Sequence, residues 1–395
     1  MEKSKMKKFC VILGVLIALL IPIGFLAGIV SGREAYKEEA VSTISSSWAD
    51  AQTVQAPLLT LNLPVKDNSA YKQLKPDNYN ANVTISTELR KKGIFKVPVY
   101  TAEVVVKGNF KNPAGKLNNI KADLELNVTD SKGFIERPKF KLMNGNLESN
   151  NSVKYSKYLT TNAVDIPFEL QYKIRGMNNF NMVPDGENNK IKISGNWDNP
   201  SFDGNFLPVS RKVENNKFEA EWSIPAIANT SLESPSLGVS FLTPVDNYRM
   251  ATRAVKYAFL FLVLTFLAYF IFEITSKKDS PIHPLQYLMM GIAMLIFYLL
   301  LVSLSEFIPF LSAYIIATLM ILGLIGMYTY FVITKCKNKV FTFIIVGIMA
   351  LLYAFLYVLL ILQDLSLLFG SLGLFIIIAV IMYATRNIDW YSENN

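Results

Sequence analysis

The sequence predicts an α+β integral membrane protein: six transmembrane helices, with a large β-rich extracytoplasmic domain inserted between helix 1 and helix 2. Three observations predict it. The chain of 395 residues is 51% hydrophobic and only 18% charged, a balance that water alone does not suit. Its apolar residues gather into six long uncharged runs, each close to the roughly 20 residues that a helix needs to cross about 30 Å of hydrocarbon. Between the first run and the other five lies a long polar stretch in which apolar residues recur at every second position.

The first run, 9–30, follows the basic start "MEKSKMKK". Its apolar part is longer than the core of a secretory signal, and "GIVSGREA" is a poor cleavage site, so the segment reads as an uncleaved anchor. Cys10 stands before the run, where a thiol at the membrane edge belongs and a lipidated cysteine does not. In "REAYKEEAVSTISSSWADAQ", Tyr36, Ala40, Ile44 and Trp48 recur at steps of four and form one helical stripe. That stripe predicts a stalk continuing the first crossing, which either binds a partner or packs on its own domain. From Leu58 the period changes to two. "NVTISTELR", "FKVPVYTAEVVVKG", "NIKADLELNV", "IPFELQYKIRG" and "NKIKISGNW" alternate β-branched or aromatic residues with Lys, Asn and Glu, as half-buried antiparallel strands do. Turn signals such as "KNPAG", "TDSKG" and "VPDGENN" separate them. The remaining crossings are expected at 256–274, 285–304, 310–333, 340–362 and 367–384, with Pro309 suited to the first turn of the fourth crossing.

These segments predict four parts: 1–30, a basic tail with the first crossing; 31–253, the β-rich domain with its stalk; 254–385, the other five crossings; and 386–395, a tail. Lys and Arg are retained on the cytoplasmic side of a membrane. The lysines before the first crossing, Lys277 and Lys278, "KCKNK" and Arg386 all fall on one face, while "SEFIP" and "LQDLS" on the other carry only acidic charge. The expected arrangement is multi-pass, with both termini cytoplasmic and the polar domain outside.

The formal charge of +8 dissolves on inspection. Residues 31–253 hold 28 basic and 24 acidic side chains without a basic block, which argues against a nucleic-acid partner. That domain has no cysteine, so its own core must stabilise it. One histidine and two distant cysteines make no metal site, and no phosphate loop, dinucleotide fingerprint or nucleophile elbow occurs. Catalytic residues, cofactor and metal are therefore all expected to be none. His283 and Glu306 stand 23 residues apart on one crossing, about 35 Å at about 1.5 Å per residue. They lie at opposite faces of the membrane and share no chemistry.

Ionisable residues within a membrane tend to be functional. Those near the crossings, Lys256, Glu273, Glu306 and Asp364, all lie near helix ends. Lys256, Glu306 and Asp364 fall at the outer boundary, where they could form an ionic cluster; Asp364 is equally suited to cap the sixth crossing. In the polar domain, "NWDNPSFDGNFLP" sets Trp197, Phe202 and Phe206 among Asp, Asn and Pro, a pattern that suits either a contact loop or rings filling the core.

Long stretches in order along the chain carry a resemblance. "TPVDNYRMATRAVKYAFLFLVLTFLAYFIFE", "IHPLQYLMMGIAMLIFYLLLVSLSE" and "LLFGSLGLFIIIAVIMYATRNIDWY" closely resemble the CreD family of bacterial inner-membrane proteins, also called cell envelope integrity protein CreD. In the polar half, "REAY", "APLLTLNLP", "RKKGIFKVPVYTAEVVVKGNF", "TDSKGF" and "FEAEW" are similar to that family's motifs. The chain departs from the pattern at "SSSWADAQ", with serine where a glycine is usual, and at "APLL", in place of a Gly-Pro pair. The resemblance implies a role in envelope integrity and tolerance of certain colicins, with no enzymatic activity and no cofactor. The expected function is thus a non-enzymatic envelope-stress protein. Its partners would be the lipid bilayer and an unknown envelope component met by the outer domain. The alternative is a lipid or small-molecule transporter using the outer-boundary acidic cluster.

Overall fold

A computed structural model describes residues 2–65, 68–143, 145–147, 153–229, 235–241, 247–275, 283–334, 339–362 and 365–386. The chain divides into two compact units, Lys37–Pro244 and a second made of Met1–Tyr36 with Val245–Asn395.

The helices are α1 (Glu2–Ala18), α2 (Leu20–Ser47), α3 (Asn247–Thr275), α4 (Pro284–Ser305), α5 (Phe310–Thr334), α6 (Lys339–Ile361) and α7 (Ser366–Thr385). Six stretches are long and apolar enough to cross a membrane, the first of them running through α1 and α2 from Lys8 to Ser47. Pro22 explains why that stretch is two helices. It has no N–H to offer Ala18, and its ring crowds that carbonyl, so the ladder breaks at Leu19. Leu19 is buried, its methyls lying where a Cβ on Gly291 would go. A glycine on α4 is what admits this close approach.

The lone histidine starts α4. His283 Nδ1 accepts from the Leu285 backbone N–H at 3.2 Å, and Gln286 Oε1 accepts from the His283 N–H at 2.9 Å. Pro284 opens the helix where its missing N–H costs nothing. Pro309 directly precedes α5 and accepts from Ala313 N at 3.0 Å. Two hydroxyls tie helices together inside the bundle: Tyr314 Oη donates to the Tyr353 carbonyl at 2.6 Å, and Tyr269 Oη lies 2.9 Å from Thr329 Oγ1.

The other unit contains sixteen strands among the described residues. They are β1 (Gln52–Gln55), β2 (Leu58–Val65), β3 (Asn68–Leu74), β4 (Asn78–Lys92), β5 (Phe95–Lys111), β6 (Leu117–Glu125), β7 (Lys139–Leu142) and β8 (Gly145–Asn146). There follow β9 (Lys154–Thr161), β10 (Asp165–Met177), β11 (Asn179–Val183), β12 (Asn188–Gly195), β13 (Pro200–Gly204), β14 (Ser210–Glu214), β15 (Lys217–Pro225) and β16 (Leu237–Phe241). An eight-stranded sheet runs β14-β15-β12-β4-β5-β10-β7-β8, beside two four-stranded sheets, β1-β11-β16-β13 and β3-β2-β6-β9. The hairpin β4–β5 pairs from Asn78↔Asn109 to Lys92↔Phe95. Its two-residue turn has Gly93 at φ +59, as the first central position of a type II′ turn requires. Against the antiparallel expectation, β12 runs parallel to β4 and β1 parallel to β11.

All three sheets share one core cluster, with Tyr79, Tyr100, Tyr155, Tyr172, Phe110, Phe140 and Phe180 wholly inside. Burial pushes the phenols of Tyr79, Tyr100 and Tyr172 well above their ordinary range. Among buried polar groups, Asn189 is fully satisfied: it donates to the Gly186 and Ile224 carbonyls and accepts from Gly186 N–H, all within 2.9 Å. It ties the loop before β12 to the end of β15.

Candidate functional site

The strict alternation of β4, β12 and β15 builds two chemically different faces from one sheet. Tyr79, Ala81, Val83 and Ile85 of β4 point inward with Ile191 and Ile193 of β12 and Phe218, Ala220 and Trp222 of β15. The outward face carries Asn80, Asn82, Thr84 and Ser86, then Lys190, Lys192 and Ser194, then Glu219, Glu221 and Ser223. Two shallow troughs lie here, of about 440 Å3 beside Val209 and Glu221 and about 730 Å3 beside Lys212 and Glu214. Lys192 joins Glu219 and Glu221 across the face, at 2.5 and 3.1 Å, and hydrogen bonding to the two carboxylates holds its ammonium above the ordinary lysine range.

This face ends at β14. The strand is exposed along its whole length and, among the described residues, is paired only with β15, which leaves its other backbone edge open. Leu207, Val209 and Val213 stand there 77%, 76% and 42% exposed. Apolar side chains beside an unpaired edge are a surface that an added strand could cover while completing the ladder. The charges of Arg211, Lys212 and Glu214 guard the edge against indiscriminate pairing.

The stretch expected to hold a contact loop takes another role. Its middle is β13, paired with β16. Trp197 is buried and packs edge-on against Phe241 at 6.0 Å, while Phe202 meets Trp222 at 6.1 Å. Phe206 packs against the same core, and its carbonyl accepts from Trp222 Nε1 at 3.0 Å. Trp197 is thus a core residue, and the partly buried Phe202 and Phe206 pack against the same core, where aromatic area is worth more than presented to water. The neighbouring edge, beginning only at Leu207, was not singled out by sequence reasoning. Its signal was weak, an alternation too short to separate from a surface strand.

The stalk resolves in the same direction. Ile44 is buried with Val97, Val99 and Met177, and Val41 and Trp48 pack beside them. Trp48 lies between two guanidinium groups, Arg90 at 3.8 Å and Arg175 at 4.5 Å from its ring centroid. Tyr36, the first member of the expected stripe, is exposed.

In the spanning unit, Glu306 at the end of α4 does form an ionic cluster, but with different partners. Arg33 Nε and Nη2 donate to its two carboxylate oxygens at 2.6 and 2.5 Å, and Tyr248 Oη donates at 2.9 Å. Lys256 is exposed and pairs with no carboxylate among the described residues, and Asp364 lies outside them. A second cluster occupies the opposite ends of the same helices. Lys8 pairs with Glu273, whose other oxygen accepts from Tyr287 Oη at 3.1 Å. Each cluster joins a cation before or after the first crossing to a carboxylate and a tyrosine on α3 and α4. Sequence reading noted both glutamates, but Arg33 is 273 residues from its partner, and no local pattern links them. Among the described residues, no group of three His, Cys, Asp or Glu side chains could hold a metal.

A family profile described as "Inner membrane protein CreD" matches residues 4–391. Inner membrane protein CreD of Escherichia coli strain K12 is 29% identical over 430 residues, covering 98% of this chain and 93% of that protein. Among solved structures, a candidate nutrient-binding protein from Legionella pneumophila aligns over 59% of this chain and 87% of its own, at 8% identity and a TM-score of 0.34. An M1 zinc metallopeptidase from Deinococcus radiodurans aligns over 47% and 53%, at 8% identity and a TM-score of 0.25. Neither structural likeness carries an argument about function.

Proposed function

This chain belongs to the CreD family of inner-membrane proteins, and from that premise we propose that it is a non-enzymatic protein of envelope integrity that acts by binding. Six helices hold it in the inner membrane with both termini on the cytoplasmic side. The β unit lies outside and meets another envelope component. The observation that supports this most directly is the open edge of β14 with exposed Leu207, Val209 and Val213 beside the polar troughs. A surface of this kind recognises an extended segment by main-chain hydrogen bonds and takes specificity from its side chains. Transport through an outer acidic cluster has less support, since Glu306 is already neutralised by Arg33.

A photocrosslinking residue placed at Val213 in cells tests the reading. The expected result is capture of an envelope component that is lost, together with the envelope phenotype, in a Val209→Asp/Leu207→Asp variant that still accumulates in the membrane. Capture of nothing beyond the chain itself, or an unchanged phenotype in that variant, would overturn it.

A further inference from the structure

A second surface belongs wholly to the spanning unit. α3 and α7 both flank α6 and leave a slot between them, floored by Phe355 and Leu359 and walled by Tyr257, Leu260, Leu264 and Gly370. It encloses about 270 Å3. A helix is about 10–12 Å across with its side chains, so the slot admits a flexible hydrocarbon chain and no further helix. Two glycines shape it. A Cβ on Gly373 would run into the Phe355 ring, which brings α7 close to α6 there, whereas Gly370 leaves Leu359 at 3.8 Å from where its Cβ would be.

The end of the slot from which α3 begins is charged. On α3, Arg249, Arg253, Tyr257, Leu260 and Leu264 follow one another at steps of three or four and so form one stripe, with Lys256 beside it. Arg253 Nη2 donates to the Leu359 carbonyl at 3.4 Å, which puts its guanidinium at the slot's mouth. Arg249 and Lys256 are exposed, and neither pairs with a carboxylate among the described residues. The first turn of α7 reaches the same mouth through Ser366.

We propose that this slot binds one anionic phospholipid, with an acyl chain between α3 and α7 and the phosphate held by Arg249, Arg253 and Lys256. Depth and charge select the same occupant: hydrocarbon within the membrane, an anion at the headgroup level where basic side chains snorkel. The site does not depend on the β edge, and loss of one leaves the other to be tested.

Native mass spectrometry of the full chain in neutral detergent, titrated with phosphatidylglycerol or phosphatidylcholine, is the test. One phosphatidylglycerol is expected to be retained, in preference to phosphatidylcholine by on the order of tenfold. Arg249→Gln with Lys256→Gln, two exposed positions, should remove that preference, and Gly370→Leu should abolish retention of both lipids. If Gly370→Leu does not fold, Ser371→Phe on the same wall replaces it. Equal retention of the two lipids, undiminished retention with the slot filled, or a dimer that the slot variants dissolve would each overturn the proposal.

Discussion

The two units use opposite solutions to the same problem of placing charge. In the β unit, ion pairs such as Lys192–Glu219 and Lys141–Glu169 stand on strand surfaces with side chains about half exposed, and the interior is filled by aromatics. In the spanning unit, the described pairs sit at the ends of helices, and their carboxylates are nearly withdrawn from water: Glu306 is 8% and Glu273 14% exposed. An exposed pair exchanges hydration for a Coulomb energy that water screens. A withdrawn carboxylate has already lost its hydration and depends on its partner. Identical chemistry is therefore decorative in one unit and structural in the other.

The comparison breaks most visibly in alkali. Tyr79, Tyr100 and Tyr172 are at most 1% exposed, and burial raises all three phenols. A phenol raised in the folded state contributes stability that is complete below its unfolded value of about 10 and is lost as pH climbs from there toward the folded value. The full chain in detergent should keep its β signal through neutral pH and lose it cooperatively in strong alkali, together with a late rise in phenolate absorbance. Phenolates that all appear near pH 10 with the β signal intact would contradict the burial.

Next in size is the withdrawn pair. Glu306→Gln leaves Arg33 without its counter-charge, and because that guanidinium is 37% exposed the expected loss lies between surface and buried cases, about 2 kcal/mol. Thermal unfolding in detergent would show it, and a double-mutant cycle with Arg33→Gln should recover part of the loss. Purely additive effects would mean that the two side chains do not interact. Smallest is the surface pair. Lys192→Ala should leave the unfolding midpoint unchanged, and a clear fall would show that Lys192, Glu219 and Glu221 act as a network.

How much was legible follows from range. The capping of α4 by His283, Pro284 and Gln286 lies within four adjacent residues and is local in that sense. The turn at Gly93 and the alternation of β4, β10 and β12 were equally local. Trp197, Phe202 and Phe206 could not be assigned that way, since an aromatic among Asp, Asn and Pro looks the same whether Phe241 and Trp222 await it or solvent does.

The sequence by itself determined the solvent of each segment: six hydrocarbon-length runs, a β-patterned insert, and charge confined to the ends of the crossings. Those properties depend on composition and period, which neighbours in the chain carry. Only the tertiary structure decided the pairings: which cation meets Glu306, which sheet edge remains open, and where α3 and α7 leave a slot. Each joins residues far apart in sequence, and the energy that selects them, contact and desolvation, exists only once the elements have packed.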